Sequence, residues 1–128
     1  MRNPMIQTIR KRCIKLNVQL KLGKGLTCLT PDGDRCEGYF IEPTRTLPGV
    51  LAVATGRPTN DWQYTLCHEY AHMLQWWRDD PILREDYLTL ERATEKEALK
   101  IANEFGLKIE KCRQESRNYI AYLRSIQK

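Results

Sequence analysis

The two histidines of this chain lie four residues apart, in the segment His68-Glu69-Tyr70-Ala71-His72. On a helix, side chains with this spacing leave the same face with Cβ atoms roughly 6 Å apart, so both imidazoles can bind one metal ion. Glu69 lies about 100° further round the helix, where its carboxylate can reach a water molecule on that metal. The spacing therefore predicts zinc bound by His68 and His72, with Glu69 as the general base.

A catalytic zinc site has three protein ligands, and this chain contains no third histidine. A carboxylate is the expected replacement, with cysteine as the second choice. Glu95 is in register with Ala98 and Ala102 on a predicted helix, so it projects from the apolar stripe of that helix. Burying a carboxylate is costly unless a cation pairs with it, which favours Glu95 as the third ligand.

Other arrangements stay open on the sequence alone. Glu91 lies one turn before Glu95 on a similar face, and it is the next candidate for the third ligand or for a hydrogen-bonding partner of the ligands. Glu97 is a further candidate, although its helical register turns it toward solvent. Glu95 could instead form an ion pair with Arg92, and the two histidines could occupy a core or a surface without any metal.

The elements that must position these side chains follow from apolar periodicity and from turn residues. We predict, in chain order, an amphipathic helix ending near Asn17, a hairpin between residues 26–30 and 38–41, a buried strand at 49–54, and helices at 62–78, 84–105 and in the C-terminal segment. This order predicts an α+β fold with a small three- to four-stranded mixed sheet, in a single domain spanning residues 1–128.

The helix at 62–78 carries the histidines and needs a face for the core. Its predicted apolar stripe consists of Leu66, Tyr70, Met73 and Trp77. Since the two histidines lie beside this stripe, we expect them on a flank of the helix where a cleft can form.

Length and composition restrict the remaining possibilities. The chain has 128 residues, of which 41% are hydrophobic and 29% charged, and these values are typical of one globular domain. No apolar run is long enough to cross a membrane and no leader sequence is evident, so we expect a cytoplasmic protein without membrane contact. The five cysteines form no Cys-x-x-Cys pair, so we expect reduced thiols and neither a disulfide framework nor a thiolate zinc cage.

The HEYAH segment with a downstream glutamate resembles the gluzincins, a family of zinc metallopeptidases, and in particular their small forms, the minigluzincins and ImmA/IrrE-like peptidases. The similarity covers residues 49–105, and Glu95-Lys96-Glu97-Ala98 looks like the Glu-x-x-Ala element of the ImmA/IrrE-like group. The resemblance implies a zincin-like fold with an N-terminal helix, a sheet, an active-site helix, a glutamate helix and a C-terminal helix.

The resemblance also implies an activity. Zn²⁺ would be held by His68, His72 and Glu95, and would activate water for peptide hydrolysis while Glu69 takes the proton and passes it to the leaving amine. An edge strand, here Gly38–Ile41, would pair with an extended protein or peptide substrate.

The C-terminal helix has two possible roles in this scheme. If it folds over the cleft, Tyr119, Tyr122 or Arg113 could stabilise the oxyanion, and the same helix could inhibit the site.

The net charge of +5 is unevenly distributed, with +7 in residues 1–24, −6 in residues 25–105 and +4 in residues 106–128. The basic ends could contact the acidic middle, or could offer a cationic surface to a nucleic acid. The alternative function is therefore a basic DNA-associated module, or a degenerate metal-binding module, without peptidase activity.

Overall fold

Helices and strands follow one another along residues 3–126, the part of the chain that a computed structural model describes. Within these residues the chain forms four helices and five strands, namely α1 (Pro4–Lys15), β1 (Val18–Gly23), β2 (Cys28–Leu29), β3 (Arg35–Cys36), β4 (Gly38–Ile41), β5 (Gly49–Ala54), α2 (Thr59–Arg78), α3 (Tyr87–Glu104) and α4 (Ile109–Ile126). A short 3-10 helix at Pro81–Arg84 connects α2 to α3. The predicted α+β class is confirmed.

Strand β5 is the centre of a mixed three-stranded sheet with the order β1-β5-β4. β1 runs parallel to β5, with Val18 opposite Gly49, whereas β4 runs antiparallel, with Tyr39 opposite Ala52. The bounds of β5 agree with the strand predicted at 49–54, and its apolar side chains are almost completely buried. β4 is an edge strand of this sheet, as the sequence suggested.

The predicted hairpin is wrong in its second strand. β2 pairs with β3 instead of β4, in a separate two-stranded sheet. The turn between them forms as expected, because Gly33 adopts a φ of +89° and its N–H donates to the carbonyl of Thr30 at 2.9 Å. β4 then pairs with β5, which offers it a six-residue apolar partner where β2 offers only two residues.

Strand β1 was not expected from the sequence. α1 ends at Lys15, and Asn17 then adopts a left-handed φ of 60°, a conformation that asparagine tolerates better than most residues. This turn ends the helix and directs the chain into β1. The alternation of polar and apolar residues in β1 is short enough to be mistaken for a continuation of the helical stripe.

Helix α2 packs between the sheet and α3, and its core-facing surface is wider than the predicted stripe. Leu66, Tyr70 and Met73 are buried as expected, but His68 is buried as well. Trp77 is 53% exposed, so its assignment to the core is wrong. It lies in the last turn of α2, where the guanidinium of Arg12 covers its ring at 5.3 Å from the ring centroid.

Helices α3 and α4 also pack against α2. α3 begins at Tyr87, later than predicted, because the side chain of Asp86 accepts a hydrogen bond from the N–H of Thr89 at 2.8 Å and caps it there. Gly106, with a φ of +78°, follows its C-terminal end as the sequence predicted. None of the helices in residues 3–126 is long and apolar enough to cross a membrane.

Candidate metal centre

The two histidines of α2 project toward α3, and their Nε2 atoms lie 3.2 Å apart. The rings are nearly perpendicular, with an interplanar angle of 83° and centroids 4.8 Å apart. One helical turn separates the two residues, so local backbone geometry alone brings the rings together. A cation between the two Nε2 atoms would be within reach of both.

Glu91 of α3 supplies a carboxylate to the same point. Its Oε2 lies 3.1 Å from Nε2 of His72, and its Oε1 lies 3.4 Å from Nε2 of His68. The ligand atoms of His68, His72 and Glu91 all lie within 4.8 Å of one another, and the Glu91 side chain is only 4% exposed. This buried group could hold a metal ion.

Glu95, which the sequence favoured as the third ligand, lies outside this group. It accepts a hydrogen bond from Nδ1 of His68, on the opposite side of the ring from the Nε2 that faces His72. Its other carboxylate oxygen accepts a hydrogen bond from the hydroxyl of Tyr64 at 2.8 Å. The geometry therefore moves the third position from Glu95 to Glu91, the residue one helical turn earlier on the same buried face.

Glu95 still affects the candidate metal centre, because it orients His68, one of the three candidate ligands. A carboxylate that accepts the proton of Nδ1 leaves the lone pair of Nε2 free for a metal and fixes the rotation of the ring. Burial opposes the protonation of His68, but the contacts with Glu91 and then Glu95 outweigh it and raise the pKa of His68 to about 10. The imidazole of His68 thus lies between two carboxylates, that of Glu91 near Nε2 and that of Glu95 at Nδ1.

The sequence left two other possibilities open on α3, namely Glu97 as a ligand and an ion pair of Glu95 with Arg92, and the two glutamates have other partners in the structure. Glu97 accepts hydrogen bonds from Nη1 and Nη2 of Arg78, both at 2.8 Å, and so faces away from the histidines. Glu95 uses its two oxygens on His68 and Tyr64, and Arg92 is exposed. The glutamate nearest the two Nε2 atoms is therefore Glu91.

Glu69 lies beside the candidate ligands and does not join them. Its Oε2 is 3.9 Å from Nε2 of His68, and its side chain is 14% exposed where it lines a cleft. Burial raises the pKa of Glu69, while His68 and His72 oppose this rise. A half-buried carboxylate next to the candidate ligands, with access to the cleft, is suitably placed to accept a proton.

Tyr119 of α4 contacts two of the candidate ligands, Glu91 and His68. Its hydroxyl donates to Oε1 of Glu91 at 2.5 Å, and the edge of its ring meets His68 at a centroid distance of 5.6 Å. Burial and then the contact with Glu91 raise the pKa of Tyr119, so the hydroxyl keeps its proton at neutral pH. Of the three oxyanion candidates in the C-terminal segment, Tyr122 is 60% exposed and Arg113 pairs with Glu110 on its own helix.

The group lies in a cleft of about 680 Å³. One wall is formed by residues 36–40 and 42, and the others come from α2, α3 and α4. Gly38 permits the close approach of β4, since a Cβ there would lie 2.9 Å from the carbonyl oxygen of Ala52 and 3.3 Å from Cγ of Glu69. Phe40 and Trp76 pack together with ring centroids 5.9 Å apart, so Trp76 contributes to the wall of the cleft.

Comparison with known proteins adds no relative, since no family model, no curated protein and no solved structure matches the chain. The resemblance to gluzincins therefore remains a hypothesis based on the residues themselves. The sequence did contain a signal for the pair on α3, because Glu91 and Glu95 repeat on α3 the four-residue spacing of the two histidines on α2.

Proposed function

We propose that the protein is a zinc-dependent metallopeptidase with a zincin-like fold, similar to the small gluzincins. His68, His72 and Glu91 would hold the zinc, and Glu69 would be the general base. One observation carries most of the weight: three ligand atoms of the types that zinc prefers converge from two helices, beside the half-buried Glu69 at an open cleft.

The distances between the ligand atoms fit zinc. Zinc binds imidazole nitrogen and carboxylate oxygen at about 2.0 to 2.2 Å, and tetrahedral geometry then places neighbouring ligand atoms about 3.3 Å apart. The two Nε2 atoms lie 3.2 Å apart and Oε2 of Glu91 lies 3.1 Å from Nε2 of His72, which agree with this value, while the other oxygen of Glu91, Oε1, is the one 3.4 Å from Nε2 of His68. The preferred donor set of a catalytic zinc ion, two imidazoles and one carboxylate with a position left for water, is present.

The charges of the site also favour a cation. Glu91 and Glu95 are almost completely buried, Glu69 adds a third carboxylate nearby, and none of the cleft-lining residues is a lysine or an arginine. A buried carboxylate is costly unless a positive charge or hydrogen bonds compensate it. In the metal-free protein a protonated His68 supplies part of that compensation, and a divalent metal bound by two neutral imidazoles would take the place of its proton.

Glu69 and Tyr119 would have different roles in hydrolysis. Zinc, when bound, polarises a carbonyl group and makes a water molecule more acidic. Glu69 would accept the proton of the attacking water on its carboxylate and deliver it to the leaving amine. Tyr119, protonated and within 2.5 Å of a ligand oxygen, could turn its hydroxyl toward the developing oxyanion.

An extended peptide is the substrate shape that the cleft favours. β4 is the outer strand of its sheet, and Gly38, Tyr39 and Phe40 line the cleft. The free backbone groups of an edge strand can pair with an added strand, which would hold a peptide across the metal centre. Inhibition by α4 stays a prediction, as does a nucleic-acid partner for Arg10, Lys11 and Lys15, which are exposed on α1.

Metal content and peptide cleavage, measured on the same variants, test this function. The wild-type protein should contain one zinc ion per chain and cleave fluorescein-labelled casein. Glu69→Gln should keep the zinc and lose cleavage, whereas His68→Ala should lose both. Glu97→Gln, on α3 but bound to Arg78, is the matched control and should retain both. A zinc-loaded Glu69→Gln protein that cleaves at the wild-type rate would rule out the proposed mechanism.

A further inference from the structure

The hairpin formed by β2 and β3 places two cysteines directly opposite each other. Cys28 and Cys36 are Cα partners in the antiparallel pair, and their Sγ atoms lie 4.0 Å apart. Cys28 Sγ is also 3.5 Å from the carbonyl oxygen of Cys36. The eight-residue separation in sequence gave no indication of this contact, because the predicted hairpin used β4 as its second strand.

The backbone at this pair is already compatible with a disulfide. Directly opposite residues of antiparallel strands have Cα atoms about 4.5 to 5.5 Å apart, and disulfides span Cα separations of about 4.4 to 6.8 Å. Closing the remaining gap between the sulfurs therefore requires side-chain rotation and little backbone movement.

The five cysteines differ in their access to solvent. Cys28 and Cys36 are half-buried, whereas Cys13, Cys67 and Cys112 are buried in the core. Cys13 and Cys67 contact the sulfurs of Met73 and Met5, with which no disulfide can form. A dissolved oxidant would therefore meet the hairpin pair first, and the core thiols serve as an internal reference.

We propose that Cys28 and Cys36 are a redox modification site, which forms a reversible intrachain disulfide at the wall of the cleft. The oxidant is a low-molecular-weight disulfide such as oxidised glutathione. One protein thiolate attacks it, forms a mixed disulfide and releases one glutathione thiolate; the second protein thiolate then displaces the other. Two electrons pass from the protein sulfurs to glutathione, and the two thiol protons end on the released glutathione molecules.

The surroundings of the pair affect the rate of this exchange. Burial and then the neighbouring Cys36 raise the pKa of Cys28 to about 11. The Cys28 thiolate is therefore scarce at neutral pH, so the step in which Cys28 attacks is slow, and we expect exchange over hours and not seconds.

The disulfide would change the wall of the cleft, because Cys36 lines it and Gly38 begins β4 two residues later. The two-stranded sheet consists of only two residue pairs, so the hairpin is weakly held in the reduced protein. A covalent link that closes this short loop restricts its opening. The turn at residues 31–34 should become more resistant to proteases.

Equilibration of the intact protein with glutathione redox buffers tests this site. Mass spectrometry of the oxidised wild-type chain should show the loss of two hydrogens, and peptide mapping should join Cys28 to Cys36 while the three core thiols stay free. Limited proteolysis within residues 30–35 should slow on the order of tenfold and recover with dithiothreitol. These measurements do not depend on peptidase activity, so they test the site separately from the proposed function.

Two serine variants complete the experiment. Cys28→Ser and Cys36→Ser should each bind one glutathione at the remaining hairpin thiol and show no slowing of proteolysis. The proposal is wrong if both hairpin thiols of the folded wild-type protein stay open to alkylation at equilibrium with excess oxidised glutathione. Separate glutathione adducts on Cys28 and Cys36, or disulfides between chains, would overturn it as well.

Discussion

The two sides of the cleft are held in different ways. On the helical side, α2 and α3 are joined by buried polar contacts, including the bond from Gln75 Nε2 to Thr94 Oγ1 at 3.0 Å and the contacts of Glu95 with His68 and Tyr64. On the other side, β4 lines the cleft, and Cys36 is the lining residue contributed by the β2–β3 hairpin, which has two residue pairs and an exposed Leu29. The side that bears the candidate ligands is fixed by core packing. The hairpin has few pairing contacts, and the proposed disulfide would link its two strands.

This contrast has a physical reason. Metal ligands must be held within a fraction of an ångström, and packed helices with satisfied buried hydrogen bonds provide that precision. In the proposed function a substrate would have to enter and leave, and a wall with a small free energy of local opening would allow this.

The largest expected effect separates the two glutamates of α3. Glu91→Gln should abolish stoichiometric zinc binding, because it removes a ligand. Glu95→Gln should retain zinc with an affinity weakened about 10- to 100-fold, because it perturbs only the partner of His68. Isothermal titration of the apo-proteins with zinc measures both constants. The opposite order of the two variants would restore Glu95 as the third ligand.

The next effect concerns Tyr119. Tyr119→Phe should lower kcat on the order of 100-fold with little change in KM, since the hydroxyl would contact the substrate only as the oxyanion develops in the transition state. Tyr122→Phe is the control on the same helix, because Tyr122 is exposed. Steady-state kinetics with a quenched fluorescent peptide gives both parameters. Equal activity of the two variants would show that the hydroxyl of Tyr119 does not contribute to catalysis.

A third effect tests the close packing of β4 against β5 and α2. Gly38→Ala places a methyl group 2.9 Å from the backbone oxygen of Ala52 in β5 and 3.1 Å from Cγ2 of Thr65 on α2, and should lower the free energy of unfolding by about 1 to 3 kcal/mol. Gly23→Ala is the matched control, since a Cβ there would meet nothing within 4 Å. Urea denaturation followed by circular dichroism compares them. Similar losses for both variants would mean that β4 does not pack closely on α2.

The smallest expected effect concerns the charge of Glu115, which lines the cleft. Burial, and then the charge of Asp61, raise the pKa of Glu115 to about 7. Because this carboxyl binds its proton more tightly in the folded protein than in the unfolded chain, it reduces stability as the pH rises from about 4.5 to 7.

Glu115→Gln should therefore raise Tm by about 2 to 4 °C at pH 8 and leave it almost unchanged at pH 4. Differential scanning calorimetry at the two pH values measures this. Glu104→Gln, an exposed position on α3, should give no such pH-dependent gain. A gain at pH 4 as large as that at pH 8 would show that the charge of Glu115 is not its cause.

Much of the fold followed from local signals. The strand at β5, the helix that carries HEYAH and the stop at Gly106 were predicted because each depends on apolar periodicity or on the conformational freedom of one residue. The hairpin partner and strand β1 were missed, since short strands have weak periodicity and their pairing depends on distant residues. Trp77 was misplaced because it lies in the last turn of α2, where Arg12 covers its ring instead of the core.

The sequence by itself determined the pair of histidines, since the pitch of one helix brings His68 and His72 together. Only the tertiary structure decided which glutamate meets them, because Glu91 and Glu95 share one face of α3 and a shift of one turn, about 5.4 Å, along α2 would exchange their places. It likewise decided that Cys28 faces Cys36. Such contacts depend on how separate elements pack, which the periodicity within a single element does not encode.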